Sequence, residues 1–301
     1  MSIVVGVDPA HRSASALHLA RMLARSADED LIVAAVVPPA WPTTAGGADA
    51  EWRGYTRDNA DSALDHAAAV LGDSIAAEYL LHEAASARRG LIELAEQRDA
   101  SLIVVGSGGS GQPGRIALGA ESDTLLHASP VPVAIAPRGY RTDPDARVDR
   151  VTAAYRGTGA STGLVLGAAA VAGRVGAELR VASFAVVPRD SGTSGAGLDA
   201  ELPIADTWAA DIERHATAVV RQVTELPDAP AVSGVAVGIG DTWESAIEEI
   251  GWESGEVLVV GSSTLGPIAR VFLGSHAAKI VRHAPVPVVV VPHGVGVRER
   301  D

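Results

Sequence analysis

The sequence contains no cysteine and only one lysine, Lys279, among its 301 residues. Without cysteine the chain can form neither a disulfide nor a thiolate site for catalysis or metal binding. Without a Gly-Lys-Ser or Gly-Lys-Thr sequence it cannot form the lysine-bearing loop of P-loop nucleotide hydrolases. The absence of cysteine fits a cytoplasmic protein, and this is the compartment that we expect.

Basic charge, aromatic residues and long apolar runs are also scarce. The formal net charge is −13, which argues against nucleic acid or an anionic membrane surface as a partner. Aromatic residues make up 4% of a chain that is 47% hydrophobic, so its cores must consist of alanine, valine, leucine and isoleucine. The apolar run at 164–175 is interrupted by Gly167, Gly173 and Arg174, and the opening MSIVVGVD is short. We therefore expect neither a membrane-spanning helix nor a signal peptide.

One stretch of sequence occurs twice. Residues 104–137 return at 259–292 with a constant offset of 155 and no gap, and 13 of 34 positions are identical. In the first copy the identical residues are Val104, Val105, Gly106, Ser107, Gly111, Arg115, Leu118, Gly119, Pro130, Val131, Pro132, Val133 and Pro137. This repeat predicts two tandem domains, which we place at 1–138 and 147–294, with a polar linker at 138–147.

Within each half, apolar runs alternate with helical patterns. In the first half the runs at 3–7, 31–37, 75–82, 102–106 and 131–136 predict strands, and 13–25, 51–71, 86–98 and 119–128 predict helices. This alternation indicates parallel βαβ units. The predicted fold class is α/β, with two tandem doubly wound, Rossmann-like parallel sheets. Ligands of such sheets bind beyond the carboxyl ends of the strands.

The last predicted strand of each half suggests how the halves associate. Pro132 falls within the strand at 131–136, and proline cannot donate to a sheet, so we predict an edge strand. The strand at 286–291 has the same pattern. Both edges are apolar and must be covered. We expect them to cover one another, giving a pseudo-twofold pair, and leave open whether two chains form a homodimer.

A glycine-rich loop links a predicted strand to a predicted helix between Gly106 and Gly119. Such a loop presents backbone N–H groups and the positive end of a helix dipole to an anion. Asp8, at the end of the first strand, should lie on the same side. Two simpler interpretations remain: the loop is only a tight surface turn, and Asp8 only caps a turn. Arg115 and Arg270 recur in both copies and either bind phosphate or pair with nearby acids.

These features together resemble the universal stress protein family in its tandem form, along nearly the whole chain. The resemblance implies an adenine nucleotide α-hydrolase-like fold and a motif in which spaced glycines are followed by Ser or Thr. Gly106, Gly109 and Gly119 fit that spacing, but Ala120 stands where the hydroxyl is expected. In the second copy Thr264 replaces the middle glycine.

The resemblance implies ATP, with or without Mg²⁺, as ligand. Asp8 would hold the ribose, the backbone of Val36 and Val37 the adenine, and the loop the phosphates. The predicted site residues are Asp8, Val36, Val37, Gly106, Ser107, Gly109, Gly111, Arg115, Gly119 and Ser122. A weaker second site would comprise Gly261, Ser262, Gly274 and Ser275.

Two residues weaken the case for these sites. Glu121 would place a carboxylate at the start of the helix, where it would repel phosphate. In the second copy the position that corresponds to Asp8 is occupied by Tyr155 or Arg156, neither of which has a carboxylate.

Three functions follow, in descending order. The first is a binding module in which a nucleotide in the first domain regulates something else. The second is a stress or interaction protein with degenerate, empty sites. The third is a slow ATPase, ranked last because no general base, lysine or evident metal pair is placed to attack a phosphate. We assign no catalytic residue and no metal site.

Overall fold

The computed structural model describes residues 1–11, 13–39, 48–109, 111–187, 198–262 and 273–292, with backbone alone for 48–50, 121 and 198–206. The chain divides into two compact units, one formed by Met1–Arg147 and the other by the described residues from Val148 onward. In these described ranges, no helix has the length and apolar character needed to cross a membrane.

The first unit is a parallel sheet with helices between its strands. The strands are β1 (Ser2–Val7), β2 (Asp30–Val37), β3 (Ala77–Glu83), β4 (Ala100–Gly106) and β5 (Val133–Ala136). The helices are α1 (Ser15–Ala27), α2 (Ala48–Leu71), α3 (Ala87–Gln97) and α4 (Ala120–Ala128), and a short 3-10 turn spans Gly72–Ser74. The strand order is β3-β2-β1-β4-β5, and all four pairings are parallel. This confirms the predicted doubly wound fold.

Local sequence explains these elements. Strands of a parallel sheet are covered on both faces, so they are continuously apolar, and Val5, Val33 and Val104 are completely buried. Helix α3 begins as predicted at Ser86, whose hydroxyl accepts a hydrogen bond from Arg89 N at 3.3 Å.

The second unit repeats this arrangement. Its strands are β6 (Arg150–Ala154), β7 (Glu178–Val186), β8 (Val232–Gly240), β9 (Glu256–Gly261) and β10 (Val288–Val291). Its helices are α5 (Gly159–Val175), α6 (Leu198–Thr224), α7 (Trp243–Glu248) and α8 (Ser275–His283). The order β10-β9-β6-β7-β8 is the order of the first unit read from the other end. Reciprocal capping boxes at Thr158 and Thr242 begin α5 and α7.

The predicted position of Pro132 within a strand is wrong. β5 begins at Val133, and the Pro132 carbonyl accepts a hydrogen bond from Ile103 N at 3.0 Å. In the second unit the Pro287 carbonyl accepts from Leu258 N in the same way. Each proline thus precedes its strand, where its missing N–H costs nothing. β5 is nevertheless the terminal strand of its unit, and its four residues are buried. The mutual coverage of the two edges stays a prediction.

The predicted linker is part of the first unit. Arg21, which is only 2% exposed, donates from Nη2 to the Thr142 carbonyl at 3.0 Å. Arg25 Nη2 lies 2.9 Å from Asp145 Oδ1, and the Tyr140 hydroxyl lies 3.4 Å from Met22 Sδ. The segment that follows β5 therefore packs along α1.

Candidate functional site

The first candidate site lies where the strand order reverses. From β1 the chain proceeds to β2 on one side, while β4 pairs with β1 on the other. Asp8 follows β1, and the glycine loop follows β4 after Gly106. These two segments leave neighbouring strands at the same edge, which is the usual ligand position in a doubly wound sheet.

Asp8 caps the turn that follows β1. Its Oδ1 accepts from Ala10 N at 2.8 Å, and its Oδ2 lies 2.9 Å from His11 Nδ1. The Asp8 side chain is still 59% exposed. Each carboxylate oxygen has two acceptor positions, so Asp8 retains capacity to accept hydrogen bonds from a ligand. The turn-capping role and a ligand role are therefore compatible.

Of the two valines at the end of β2, Val36 has the better placed backbone. The Val37 carbonyl already accepts from Ala84 N at 3.0 Å. Successive peptide groups of a strand point to opposite neighbours, so the Val36 carbonyl faces β1, whose pairing with β2 stops at Val7. Pro9 follows there and has no N–H to donate. The Val36 carbonyl is therefore directed to the side on which a base would lie.

Hydrogen bonds of ordinary length fold the glycine loop back on itself. Ser107 N donates to the Ala136 carbonyl at 3.0 Å, which extends the pairing of β4 with β5 by one residue. The Ser107 hydroxyl accepts from Ala117 N at 2.8 Å, and Gly108 N donates to the Ala117 carbonyl at 2.9 Å. The Ser107 oxygen, predicted as a phosphate ligand, is thus engaged within the loop.

Arg138 secures the far side of the loop. Its Nη1 donates to the Gly111 carbonyl at 2.5 Å, and its backbone N donates to the Arg115 carbonyl at 3.0 Å. Gly114 N in turn donates to the Arg138 carbonyl at 2.9 Å. Sequence reasoning missed this residue, because it lies in the predicted linker and 27 positions from Gly111.

The loop glycines serve different purposes. A Cβ at Gly111 would lie 2.8 Å from the Ala117 Cβ, so this position admits no side chain without a shift of the loop. A Cβ at Gly108 would lie 3.2 Å from the Ala117 carbonyl oxygen. Gly109 is exposed, and a Cβ there would meet nothing within 4 Å. Protein packing therefore requires glycine at 111 but leaves open space beside 109.

Helix α4 begins with an uncapped turn. Gly119 is its N-cap residue, with φ −78° and ψ 169°, and it has no side chain to accept from the first N–H groups. Ala120 is exposed and supplies no hydroxyl, whereas Ser122 in the same turn is half-buried. The side chain of Glu121 lies outside the described residues. The start of α4 therefore presents backbone donors next to the glycine loop.

The second unit has the same framework. Ser262 N donates to the Val291 carbonyl at 3.0 Å, the counterpart of the bond from Ser107 N. Helix α8 follows Gly274, which has φ −57° and no capping side chain, and Ser275 is exposed at the first helical position. Thr264 and Arg270 lie outside the described residues.

The sheet registers align the first strands of the two units. Val5 pairs with Val104 in the first unit, and Ala153 pairs with Val259 in the second. Val104 and Val259 are the same position of the sequence repeat. Val5 therefore corresponds to Ala153, and the two strands align with an offset of 148, the difference between 153 and 5.

This offset decides which residue replaces Asp8. Asp8 corresponds to Arg156, and Val7 corresponds to Tyr155, whose side chain is buried. Tyr155 N also continues the pairing with β7 by donating to the Ala182 carbonyl at 2.7 Å. The second unit thus has an exposed guanidinium where the first has a carboxylate.

Comparison with known proteins gives a consistent result. The model of the universal stress protein family matches residues 1–137 and 147–292. A universal stress protein of Mycobacterium tuberculosis is 37% identical over 303 residues, covering 97% of this chain and all of the relative. The crystal structure of a universal stress protein from Archaeoglobus fulgidus covers 97% of this chain and 98% of its own, with a TM-score of 0.58 and 20% identity. A universal stress protein solved in complex with cAMP covers 46% of this chain and 98% of its own, with a TM-score of 0.36 and 26% identity.

Proposed function

Because the chain belongs to the universal stress protein family, we propose that its first unit binds an adenine nucleotide, ATP in particular, and acts as a regulatory stress-response module in the cytoplasm. One observation carries this proposal. Asp8 and the Gly106–Gly119 loop leave adjacent strands at the switch point, beside an uncapped helix start. A carboxylate for a sugar and backbone donors for phosphates thus lie on one edge.

Each part of a nucleotide has a matching group at this edge. The remaining acceptor positions of Asp8 suit the hydroxyl groups of a ribose. The Val36 carbonyl suits an exocyclic amine of the base. The backbone of Gly109 and the first turn of α4 suit phosphate oxygens, because the space beside Gly109 is open.

The polar side chains of the predicted site contribute unequally. The Ser107 hydroxyl holds the loop through Ala117 N rather than facing a ligand, so its role is positioning. Arg115 and Ser122 remain proposed phosphate contacts. The hydroxyl missing at Ala120 removes one donor, which weakens phosphate binding by about 1–3 kcal/mol without abolishing it. Among the residues with described side chains, no cluster of His, Asp and Glu could hold a metal ion. Mg²⁺ would therefore enter as a companion of the triphosphate.

The second unit is the weaker nucleotide site in this proposal. Gly261, Ser262, Gly274 and Ser275 repeat the phosphate-binding part of the framework. Arg156 replaces the carboxylate that would accept from a ribose, so the nucleoside end lacks its main contact.

The alternative is a stress protein that binds no nucleotide and acts through its surface. A specific observation favours it: both oxygens of Asp8 already have protein partners. A slow ATPase is the third possibility. Phosphate release above a no-protein control, lost in a loop variant, would promote it.

Ligand-induced thermal stabilisation of the full chain tests the proposal. ATP should raise the melting temperature of the wild type, and Asp8→Ala should weaken ATP binding about tenfold or more, because a charge-assisted hydrogen bond is lost. His11→Ala is the matched control, because it removes a turn contact of Asp8 and leaves the carboxylate. Equal stabilisation of the wild type and Asp8→Ala would reject the site.

A further inference from the structure

A cluster of three cationic or protonatable side chains lies at the ligand edge of the second unit. Arg156 follows β6, and His276 and Lys279 lie in the first turns of α8. Trp243, the first residue of α7, holds two of them: its ring centroid is 5.4 Å from that of His276, edge to face, and 5.5 Å from Lys279 Nζ. The lone lysine of the chain is thus placed in this cluster.

Arg156 and Lys279 each act electrostatically on His276. Partial burial lowers the pKa of His276, and the positive charges of Arg156 and Lys279 lower this pKa further. All three residues are exposed. In the described part of the chain, no carboxylate forms an ion pair with Arg156, His276 or Lys279. The positive charge of the cluster is therefore available to a ligand.

The corresponding positions of the first unit have a different character. Arg156 corresponds to Asp8, as the sheet registers show. The constant repeat offset of 155 matches His276 to Glu121 and Lys279 to Thr124. The second unit thus has basic residues at the positions of the acidic Asp8 and Glu121, and a lysine at the position of the neutral Thr124. The two edges therefore differ in charge, and the second edge offers more basic side chains to an anion.

We propose that Arg156, His276 and Lys279 bind a small, multiply charged anion of the phosphate class, and that this binding needs no nucleoside. The site goes beyond the nucleotide site of the first unit and does not depend on it. Its chemistry follows from the side chains: guanidinium and ammonium groups are strong donors to phosphate oxygens. It lacks the carboxylate that would select a ribose.

The arrangement of positive charges favours the binding of an anion. Holding like charges together is unfavourable, and an oxyanion placed between them offsets this repulsion while accepting several charge-assisted hydrogen bonds. The protein as a whole carries a charge of −13, so attraction is confined to the neighbourhood of the cluster. Because the groups are exposed, binding should weaken as the salt concentration rises.

The test uses the full chain, with inorganic tripolyphosphate as the probe in calorimetry. Arg156→Ala and Lys279→Ala should each weaken tripolyphosphate binding about tenfold or more. Arg174→Ala is the matched control, because Arg174 is an exposed arginine of the same unit in the last turn of α5. Equal binding by wild type and Arg156→Ala would overturn the proposal.

Two further measurements identify the site and the source of the phosphate. Tripolyphosphate should raise the pKa of His276 in an NMR titration of the histidine ring, and an unchanged His276 would contradict the proposal even if some binding heat were observed. ATP should compete with tripolyphosphate in the Asp8→Ala chain, whereas adenosine should not. Competition by adenosine would show that the second unit recognises the nucleoside instead. Failure of nucleotide binding in the first unit is detected separately, through Asp8→Ala.

Discussion

Asp8 and Arg156 occupy the same register position at the ends of β1 and β6, so a carboxylate in one unit corresponds to a guanidinium in the other. The glycine before each loop, the bond from the serine N–H and the uncapped helix start are shared by both units. The framework of the two edges is therefore the same, and the charge at the nucleoside end distinguishes them.

The charge of Arg156 should be visible in the titration of His276. Arg156→Ala should raise the pKa of His276, because it removes one of the positive charges that lower this pKa. NMR chemical shifts of the imidazole ring measure the pKa directly. Arg282→Ala serves as the control, because Arg282 is an exposed arginine of α8 that has no part in the lowered pKa. An unchanged His276 pKa in Arg156→Ala would show that the two side chains lie apart.

Removal of one partner of a buried ion pair should strongly destabilise the second unit. Arg180 Nη2 lies 2.6 Å from Glu256 Oε1, and Arg180 Nε donates to Thr152 Oγ1 at 3.0 Å. The Glu256 side chain is completely buried. Glu256→Ala should lower the free energy of unfolding by about 3–5 kcal/mol, because it leaves a buried guanidinium without its counter-ion. Urea denaturation of the full chain measures this loss.

The first unit supplies the matched control for this ion pair. The counterparts of Thr152, Arg180 and Glu256 are Val4, Ile32 and Ser101. The triple variant Thr152→Val, Arg180→Ile, Glu256→Ser removes both charges together, so it should cost less than Glu256→Ala alone. A greater loss in the triple variant would mean that the pair itself is strongly stabilising.

Two alanine substitutions should separate loop packing from ligand binding. Gly111→Ala should destabilise the apo protein by about 1–3 kcal/mol, because the new Cβ would meet the Ala117 Cβ at 2.8 Å. Gly109→Ala should leave the melting temperature unchanged, since its Cβ meets nothing within 4 Å. It should nevertheless weaken ATP binding, because the methyl group occupies the space proposed for phosphate. Full ATP affinity in Gly109→Ala would show that the phosphates do not lie beside this residue.

The free energy of unfolding should decrease at alkaline pH because of Tyr140, which lies in the segment that packs on α1. Burial raises the pKa of Tyr140 from 10.0 to about 12. Between these values the unfolded chain loses the phenol proton and the native chain keeps it. The contribution of Tyr140 is therefore complete below pH 10 and is lost as the pH rises to about 12. The expected loss is about 2 kcal/mol.

Tyr140→Phe isolates this effect. The variant should lose less stability than the wild type over the same alkaline range, because its ring cannot ionise. Denaturant unfolding at several pH values compares the two proteins, and parallel pH profiles would show that the Tyr140 hydroxyl is not buried in solution.

Much of the fold was predictable because the strands are continuous apolar runs and the repeat has no gap. The errors occur where an element is fixed by partners distant in sequence. Pro132 continues an apolar run, but only the hydrogen bond from Ile103 shows that the strand begins after it. Polarity alone identified 138–147 as a linker, whereas its contacts with Arg21 and Arg25 hold it on α1.

The candidate site was predictable in its positions and less so in its bonding. Sequence order was enough to place Asp8 and Gly106 at the ends of strands. It could not show that Asp8 also caps a turn, or that the Ser107 hydroxyl is held by Ala117 N. The choice of Arg156 over Tyr155 required the sheet register, because the strands that contain them differ in offset from the repeated loop, 148 against 155.

Calorimetric titration of ATP with Mg²⁺ into the full chain, checked by mass spectrometry for carried-over ligand, tests the central claim most directly. The account predicts one tight nucleotide site per chain, whose affinity Asp8→Ala lowers about tenfold or more and Arg156→Ala leaves unchanged. The claim would be contradicted by a ligand-free protein that binds no nucleotide at millimolar concentration, or by tight binding that persists in Asp8→Ala.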